Sequence, residues 1–365
     1  MFETRIKNLQ GLLSEHAVEA LIITSPYNIA YLTGIHAFSI EEREAFVVIT
    51  NENSYLLTDA RYTEMVKEKS PFITLIEISY KNKLSKMLQQ IFQEEKITIL
   101  GFEEENISYK EIADLEEKLN NIEFVPTAEI VEDIRTSKDK DEVEKLKKAC
   151  ALTDKGFEFI LKQLKPGVEE LEIKTQLENF IRLAGGELAF SSIVAFGKNS
   201  AIPHHLSANS KLQNSDIILL DFGARVEGYC SDMTRTVFLG EASSEFKKMY
   251  QATKEAQEVA IDYLKTHMKE GFELKKAAEL ANSHLKLVGY SEIPHGLGHG
   301  VGLQVHENPS LSPFSDENLT PGMIVTIEPG VYLPQIGGIR IEDTALISPE
   351  GLELLTKSSK EIIIV

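Results

Sequence analysis

Asp221, Asp232, His299, Glu328 and Glu342 are oxygen- and nitrogen-bearing side chains set in apolar or glycine-rich stretches, where a core would take hydrocarbon. Asp221 closes the run IILLD, Asp232 follows eleven residues on across the turn RVEGY, Glu328 ends IVTIE, and Glu342 lies within GGIRIED. The pattern directs four carboxylates from strands toward one place. Burying them unpaired would cost more than the net stability of a whole domain. Two divalent cations would balance the four negative charges. Oxygen ligands with one imidazole suit Mn²⁺, Co²⁺, Fe²⁺ or Zn²⁺, and the lack of thiolate excludes the usual structural zinc site. The expected centre is catalytic, since two ions sharing carboxylates and a water lower the pKa of that water and stabilise the oxyanion formed when it attacks a carbonyl. With hydroxide as nucleophile, neither Ser nor Cys is required. Glu328, on a strand end beside the EPG turn, is the candidate proton acceptor.

The segment HGLGHGVGLQVHE places His295, His299 and His306 within twelve residues, with glycine at 296, 298, 300 and 302 permitting close approach of backbone to a ligand. Isolated histidines say little, so His16, His36, His267 and His284 read as structural. The cluster reads the other way, because three imidazoles among glycines pack poorly but suit ligation and hydrogen bonding. Pro203, His204 and His205 add an imidazole position upstream of Asp221, and residue type alone does not say which of the two histidines acts.

These side chains need a scaffold, and 365 residues at 42% apolar content can supply one, best divided into two domains at 1–130 and 131–365. The first part alternates helix and strand: a helix over 5–16, the strand ALIIT, the helical turn PYNIAYLTG, strands AFVVIT and SYLLT, then FITLIEI, KITILGF and IEFVPT around the helix SKMLQQIFQEE. That is a small α/β domain. Ser137 reads as the N-cap of a new helix, with Asp139 in its first turn, running through Val143, Leu146, Cys150, Phe157, Ile160, Leu161 and Leu164 and stopping at Lys165, Pro166 and Gly167. Its charged run KDKDEVEKLKK reads as a solvated face, with an interdomain contact as the alternative. Two further amphipathic helices, EFKKMYQATKEAQEVAIDYLK and FELKKAAELANSHLKLVG, with the acid-bearing strands around them, make an α+β catalytic domain with a mostly antiparallel sheet. A net charge of −19 and a pI near 5.0 exclude a phosphate-backbone partner, which needs a basic surface. The first residues contain no apolar signal core and no run is long enough to span a bilayer, so no membrane partner and a cytoplasmic location are expected. Cys150 and Cys230 are too few for a disulfide framework and read as buried small apolar residues.

Taken together, YNIAYLTG, LLTDARY, IRTSKDKDEVEKLKKA, IILLDFGARVEGYCSDMTRTV, HGLGHGVGLQVHENP, PGMIVTIEPGVY and GGIRIED resemble the Xaa-Pro peptidase family, the prolidases and aminopeptidases P, nearly end to end. That family shares the pita-bread fold with methionine aminopeptidases. The resemblance implies a pita-bread catalytic domain after a creatinase-type N-terminal domain that shapes the substrate cleft, and a homodimer. It implies two divalent ions, manganese first, held by Asp221, bridging Asp232, His299, Glu328 and Glu342. A bridging hydroxide would attack the carbonyl before proline, with Glu328 as proton shuttle. His306 would steady the tetrahedral intermediate, His295 would line the substrate side, His204 would contact the prolyl part of a peptide with proline second, and His205 would be a neighbour without that role. Arg340 would support the ligand strand. Many family dipeptidases carry Arg just after HExP to hold a dipeptide carboxylate, whereas HENP is followed here by Ser310, which cannot form that bidentate pair. The expectation is therefore an aminopeptidase acting on longer Xaa-Pro peptides, with a dipeptidase as the alternative on the same chemistry. Other readings are a non-catalytic interaction module of this fold, a metal-free hydrolase like creatinase, and a methionine aminopeptidase, which usually lacks the extra first domain.

Overall fold

Strands made of unbroken apolar residues have no polar face to offer water, so they belong in the middle of a covered sheet. Ala20–Ile23 and Ala45–Thr50, buried at every position, sit centrally in a six-stranded sheet with the order Thr74–Glu77, Ser54–Thr58, Ala45–Thr50, Ala20–Ile23, Ile99–Glu103, Glu123–Thr127. The sheet is mixed: Ala20 pairs antiparallel with Thr50 and parallel with Leu100. The structure, a computed structural model, describes residues 1–267, 272–315 and 317–365. The chain divides into two compact units, Met1–Arg135 and Thr136–Val365, and the sheet above belongs to the first. No helix among the described residues is long and apolar enough to cross a membrane.

In the second unit the same order occurs twice. Helices Lys140–Leu161 and Glu170–Leu183 pack over the antiparallel strands Ile193–Phe196, Ile217–Phe222 and Met233–Phe238. Helices Ser244–Thr266 and Leu274–Leu287 then pack over strands Gly298–Gly300, Glu307–Leu311, Ile324–Ile327, Asp343–Ser348 and Gly351–Leu354. Each half buries its own apolar cluster, one around Ile173, Leu177 and Phe222 and the other around Ala256, Ala277 and Val325. The turn RVEGY is a two-residue hairpin in which Val226 pairs with Tyr229 while Glu227 and Gly228 both take positive φ, the geometry that matches strand twist.

Several expectations need correction. Ser137 does not cap the long helix, because its backbone bridges to Met323 and its hydroxyl donates to the Pro321 carbonyl. Asp139 caps instead, accepting from the amides of Asp141 and Glu142, while the Glu142 carboxylate returns a bond to the Asp139 amide. That helix ends at Leu161, short of Leu164 and the Lys165–Gly167 stop. The charged run is not wholly solvated, since Lys138 and Glu142 are buried. The helix Glu170–Leu183 was not anticipated, although Ile173, Leu177 and Ile181 recur every four residues on its buried face.

The two strands of the Asp221–Asp232 hairpin approach so closely at Gly223 that a Cβ there would lie 1.9 Å from the Ser231 carbonyl oxygen. Gly223→Ala is expected to lower the stability of the second unit by about 1–3 kcal/mol or more, as overpacking does. Denaturant titration of the full chain reads this directly, and an unchanged midpoint would contradict the close approach.

Candidate metal centre

The carboxylates sit where strands end. Asp221 alone lies within a strand, Ile217–Phe222, whereas Asp232 immediately precedes Met233–Phe238, Glu328 follows Ile324–Ile327 and Glu342 precedes Asp343–Ser348. Leaving the ladder frees these side chains to converge. His299 occupies the middle of the short strand Gly298–Gly300, and a Cβ at Gly298 would fall 2.0 Å from the Thr326 carbonyl oxygen, so glycine is required for that strand to reach its neighbour. All five side chains line one cavity of about 400 Å³, together with His204, His295, His306, Arg340, Ser310 and an apolar wall of Phe190, Ile193 and Pro203.

Within the cavity two ligand groups share a carboxylate. Asp221, Asp232 and Glu342 form one and His299, Glu328 and Glu342 the other, with the ligating atoms of each within 4.8 Å of one another. Asp232, His299 and His306 also fall within that separation. His299 Nε2 lies 3.3 Å from Glu328 Oε1 and 3.7 Å from Asp232 Oδ2. Its Nδ1 is 3.1 Å from the Gly300 carbonyl, which only accepts, so Nδ1 carries a proton and Nε2 is the nitrogen that faces the acids.

Arg340 organises the floor. Its Nη2 donates to Asp221 Oδ2 at 2.5 Å, its Nε to Thr234 Oγ1 at 3.0 Å and its Nη1 to the Tyr332 hydroxyl at 2.8 Å. Thr234 Oγ1 in turn donates to Glu342 Oε2 at 2.7 Å. The Tyr332 hydroxyl lies 3.0 Å from His295 Nε2, and His295 Nδ1 is 2.7 Å from the Gly296 carbonyl. Behind the site, fully buried Arg235 pairs with Asp343 at 2.6 Å and donates to the Glu342 carbonyl, while Thr344 donates to the Asp232 carbonyl.

The charges are unbalanced. Burial pushes the Asp232 carboxyl well above the ordinary range, and Glu342 and Asp221 add to it. Burial does the same to Glu342, helped by Glu328 and Asp221. Asp221 is raised by burial in spite of Arg340. Burial also pushes on Glu328, but the hydrogen bond and positive charge of His299 outweigh it and hold Glu328 below the usual value. For His299 burial is likewise overcome by Glu328, which raises it. Burial lowers His295, and partial desolvation with the charge of His299 lowers His306. Burial among like charges thus favours the protonated form of Asp232 and Glu342, and positive charge placed beside them would oppose that shift. Asp232 Oδ1 and Glu342 Oε1 are buried with no hydrogen-bond partner among the described residues, and both belong to the Asp221–Asp232–Glu342 group. Orphaned carboxylate oxygens in a cluster of acids fit a divalent cation, which oxygen ligands of this kind hold.

His204 and His205 separate clearly. His204 faces the cavity, whereas His205 Nε2 turns away to Glu170 Oε2 at 2.8 Å. His16, His36, His267 and His284 do not line the cavity. Cys150 and Cys230 are buried, and burial raises both thiols. Tyr332 and Thr234 were not singled out in the sequence. Each lies inside a quoted stretch, EPGVY and SDMTRTV, and the available signal was a polar side chain in an otherwise buried strand.

Residues 144–349 match metallopeptidase family M24 and residues 5–137 the creatinase/prolidase N-terminal domain. The chain is 35% identical to the uncharacterised peptidase YqhT of Bacillus subtilis over 99% of both chains. It is 34% identical to the solved Xaa-Pro dipeptidase from Bacillus anthracis, covering 100% of each with a TM-score of 0.94. It is 31% identical to the X-Pro aminopeptidase from Thermotoga maritima, covering 96% of this chain and 99% of that one with a TM-score of 0.87. The site therefore stands in a pita-bread catalytic unit that follows a creatinase-type domain, and the chain belongs to metallopeptidase family M24, enzymes whose hydrolysis requires divalent metal.

Proposed function

We propose that this enzyme is an exopeptidase that hydrolyses the bond before proline in peptides carrying proline at the second position, working with two divalent cations, manganese first. The observation that carries it is the pair of orphaned oxygens, Asp232 Oδ1 and Glu342 Oε1, inside a buried cluster of acids. Asp221, Asp232, His299, Glu328 and Glu342 would hold the ions. Bound there, the ions would supply a water activated at neutral pH and polarise the substrate carbonyl.

The chain's own groups do the rest. Glu328 accepts from Thr326 Oγ1 through Oε1 at 3.2 Å and lines the cavity, which leaves a carboxylate oxygen to take the proton of the attacking water and pass it to the leaving nitrogen. His306 and His204, both lining the cavity, are the donors placed to meet the developing oxyanion and the prolyl side of the peptide. His295 presents its ring to the same space, oriented by Tyr332 and the Gly296 carbonyl. Arg340, tied to Asp221, Thr234 and Tyr332, fixes ligand geometry.

Longer peptides are favoured over dipeptides because Arg340 is the one Lys or Arg side chain lining the cavity among the described residues, and Asp221 already engages it. Ser310, also in the lining, offers a hydroxyl where a carboxylate would need a positive charge. A strict dipeptidase is the second reading, supported by the likeness to the dipeptidase from Bacillus anthracis. Incubated with Mn²⁺ and a panel of Xaa-Pro substrates, the enzyme is expected to cleave Xaa-Pro tripeptides faster than Xaa-Pro dipeptides. A reversed preference selects the second reading, and no cleavage of any Xaa-Pro bond with any of the four metals sinks both.

Asp232→Asn is expected to abolish metal loading and turnover together, while His204→Ala keeps metal content and mainly raises KM, and elemental analysis beside steady-state kinetics separates the two. Normal metal content in Asp232→Asn would remove that residue from the ligand set. Because carboxylates and imidazole bind cations only when deprotonated, and Asp232, Glu342 and His299 all hold their protons more tightly than usual, metal binding should release protons and weaken as pH falls. Titration calorimetry in buffers of different ionisation enthalpy measures the release, and a binding heat independent of buffer would contradict it.

A further inference from the structure

Lys138 falls in the gap between the two family matches, 5–137 and 144–349, and begins a charged run that reads as solvated. It is buried. Its Nζ lies 2.7 Å from Glu307 Oε1, and the two side chains are 1% and 7% exposed. The lysine is held at both ends, its amide donating to the Gly322 carbonyl at 2.8 Å and its Nζ also to the Thr136 carbonyl at 3.0 Å.

Glu307 is the residue after His306 and pairs with Gly300, the residue after His299. Its strand therefore ties the chain that follows His306 to the strand that carries His299, and the centroids of the two rings are 4.3 Å apart. A Cβ at Gly302 would lie 2.2 Å from Glu307 Oε1, so the carboxylate is tucked against the loop 301–306. The Gln304 amide donates to its other oxygen at 3.3 Å, and the Gly302 carbonyl accepts from the Cys230 amide at 2.8 Å. His306 itself is exposed at the end of this loop, and no hydrogen bond among the described residues fixes its ring. A buried ion pair adds little stability over apolar residues of the same size, so a structural role alone explains it poorly, whereas fixing one loop conformation is a use such pairs do have.

We propose that Lys138 is a positioning residue for His306: through its buried pair with Glu307 it holds the loop 301–306 so that the imidazole stays over the carboxylate cluster. This rests on the reading of His306 as a substrate-contacting group. Losing the clamp lets the ring wander by about an ångström, which lowers transition-state contact on the order of tenfold to a hundredfold without removing a ligand.

The test is a double-mutant cycle on the full chain with Mn²⁺ and an Xaa-Pro tripeptide, combining Lys138→Met with His306→Ala, with metal content and thermal melting followed throughout. Lys138→Met is expected to lose on the order of tenfold to a hundredfold in kcat/KM at unchanged metal stoichiometry. It should add about twofold or less in the His306→Ala background, because both changes remove the same contact. Lys138→Arg should recover part of the loss, and Glu307→Gln, which preserves shape, repeats the cycle if Lys138→Met fails to fold. A readout free of turnover is the ring ¹H–¹³C signal of His306, assigned by its disappearance in His306→Ala. It should shift or broaden in Lys138→Met and Glu307→Gln while the His16 and His36 signals stay. Losses that multiply in the double mutant, or an unmoved His306 signal, overturn the proposal. A His306→Ala enzyme with full turnover overturns instead the reading of His306 on which it rests, leaving the ring signal to decide the positioning.

Discussion

Like charges confined in a medium of low dielectric repel, and the second unit is built around that repulsion. Two unit charges about 4 Å apart interact by about 4 kcal/mol at an effective dielectric of 20. Asp221, Asp232 and Glu342 are all buried within such distances, with Arg340 on Asp221 and His299 beside Asp232 as their charged neighbours. Burial raises the proton affinity of all three acids, and divalent ions held among them would compete with those protons. Every strong contact around the site, from Arg340 on Asp221 to Thr234 on Glu342, restrains an oxygen that would otherwise move away from its neighbours.

The same residues join the two halves of the second unit. Asp221 and Asp232 come from the first half and His299, Glu328 and Glu342 from the second. Arg235, from the first half, holds both the Glu342 carbonyl and the Asp343 carboxylate of the second, while the Glu342 amide donates back to the Thr234 carbonyl at 3.1 Å. Burial pushes the Asp343 carboxyl upward, but Arg235 and Lys360 outweigh it and hold it below the usual range, so it remains a charged partner for both. Fold and site share one set of bonds, so metal binding and stability are thermodynamically linked.

What could be read from residues alone follows from the same physics. The four acids and one imidazole stood out because charge in an apolar strand is costly unless it has a purpose, and the structure gathers all five in one cavity. The strands of the first unit, and Ile217–Phe222 and Ile324–Ile327 of the second, were legible from their apolar runs, whereas Ile193–Phe196 and Glu307–Leu311 were not. Lys138 and Glu142 were not, since a charge at a helix start looks solvated until a partner distant in sequence is known, here Glu307 and the Tyr229 hydroxyl. His204 and His205 could not be told apart because neighbours on a turn face different ways, and the deciding acceptor, Glu170, lies thirty-five residues upstream of His205 on the helix that the sequence reading missed. The network through Tyr332 and Thr234 was hidden for a related reason, since hydroxyls in buried strands look the same whether they bond backbone or ligand-bearing side chains.

The Asp221–Asp232 hairpin, with its strands in contact at Gly223, also limits how the enzyme can vary. A strand slips past its neighbour only in whole residues, about 3.3 Å at a time, whereas a cation–oxygen bond tolerates about 0.2 Å. No partial misalignment of Ile217–Phe222 against Met233–Phe238 keeps a working ligand set: a single slip carries one aspartate beyond reach and turns its side chain to the opposite face. Insertions and deletions are therefore confined to the loops, and the hairpin behaves as an all-or-none part.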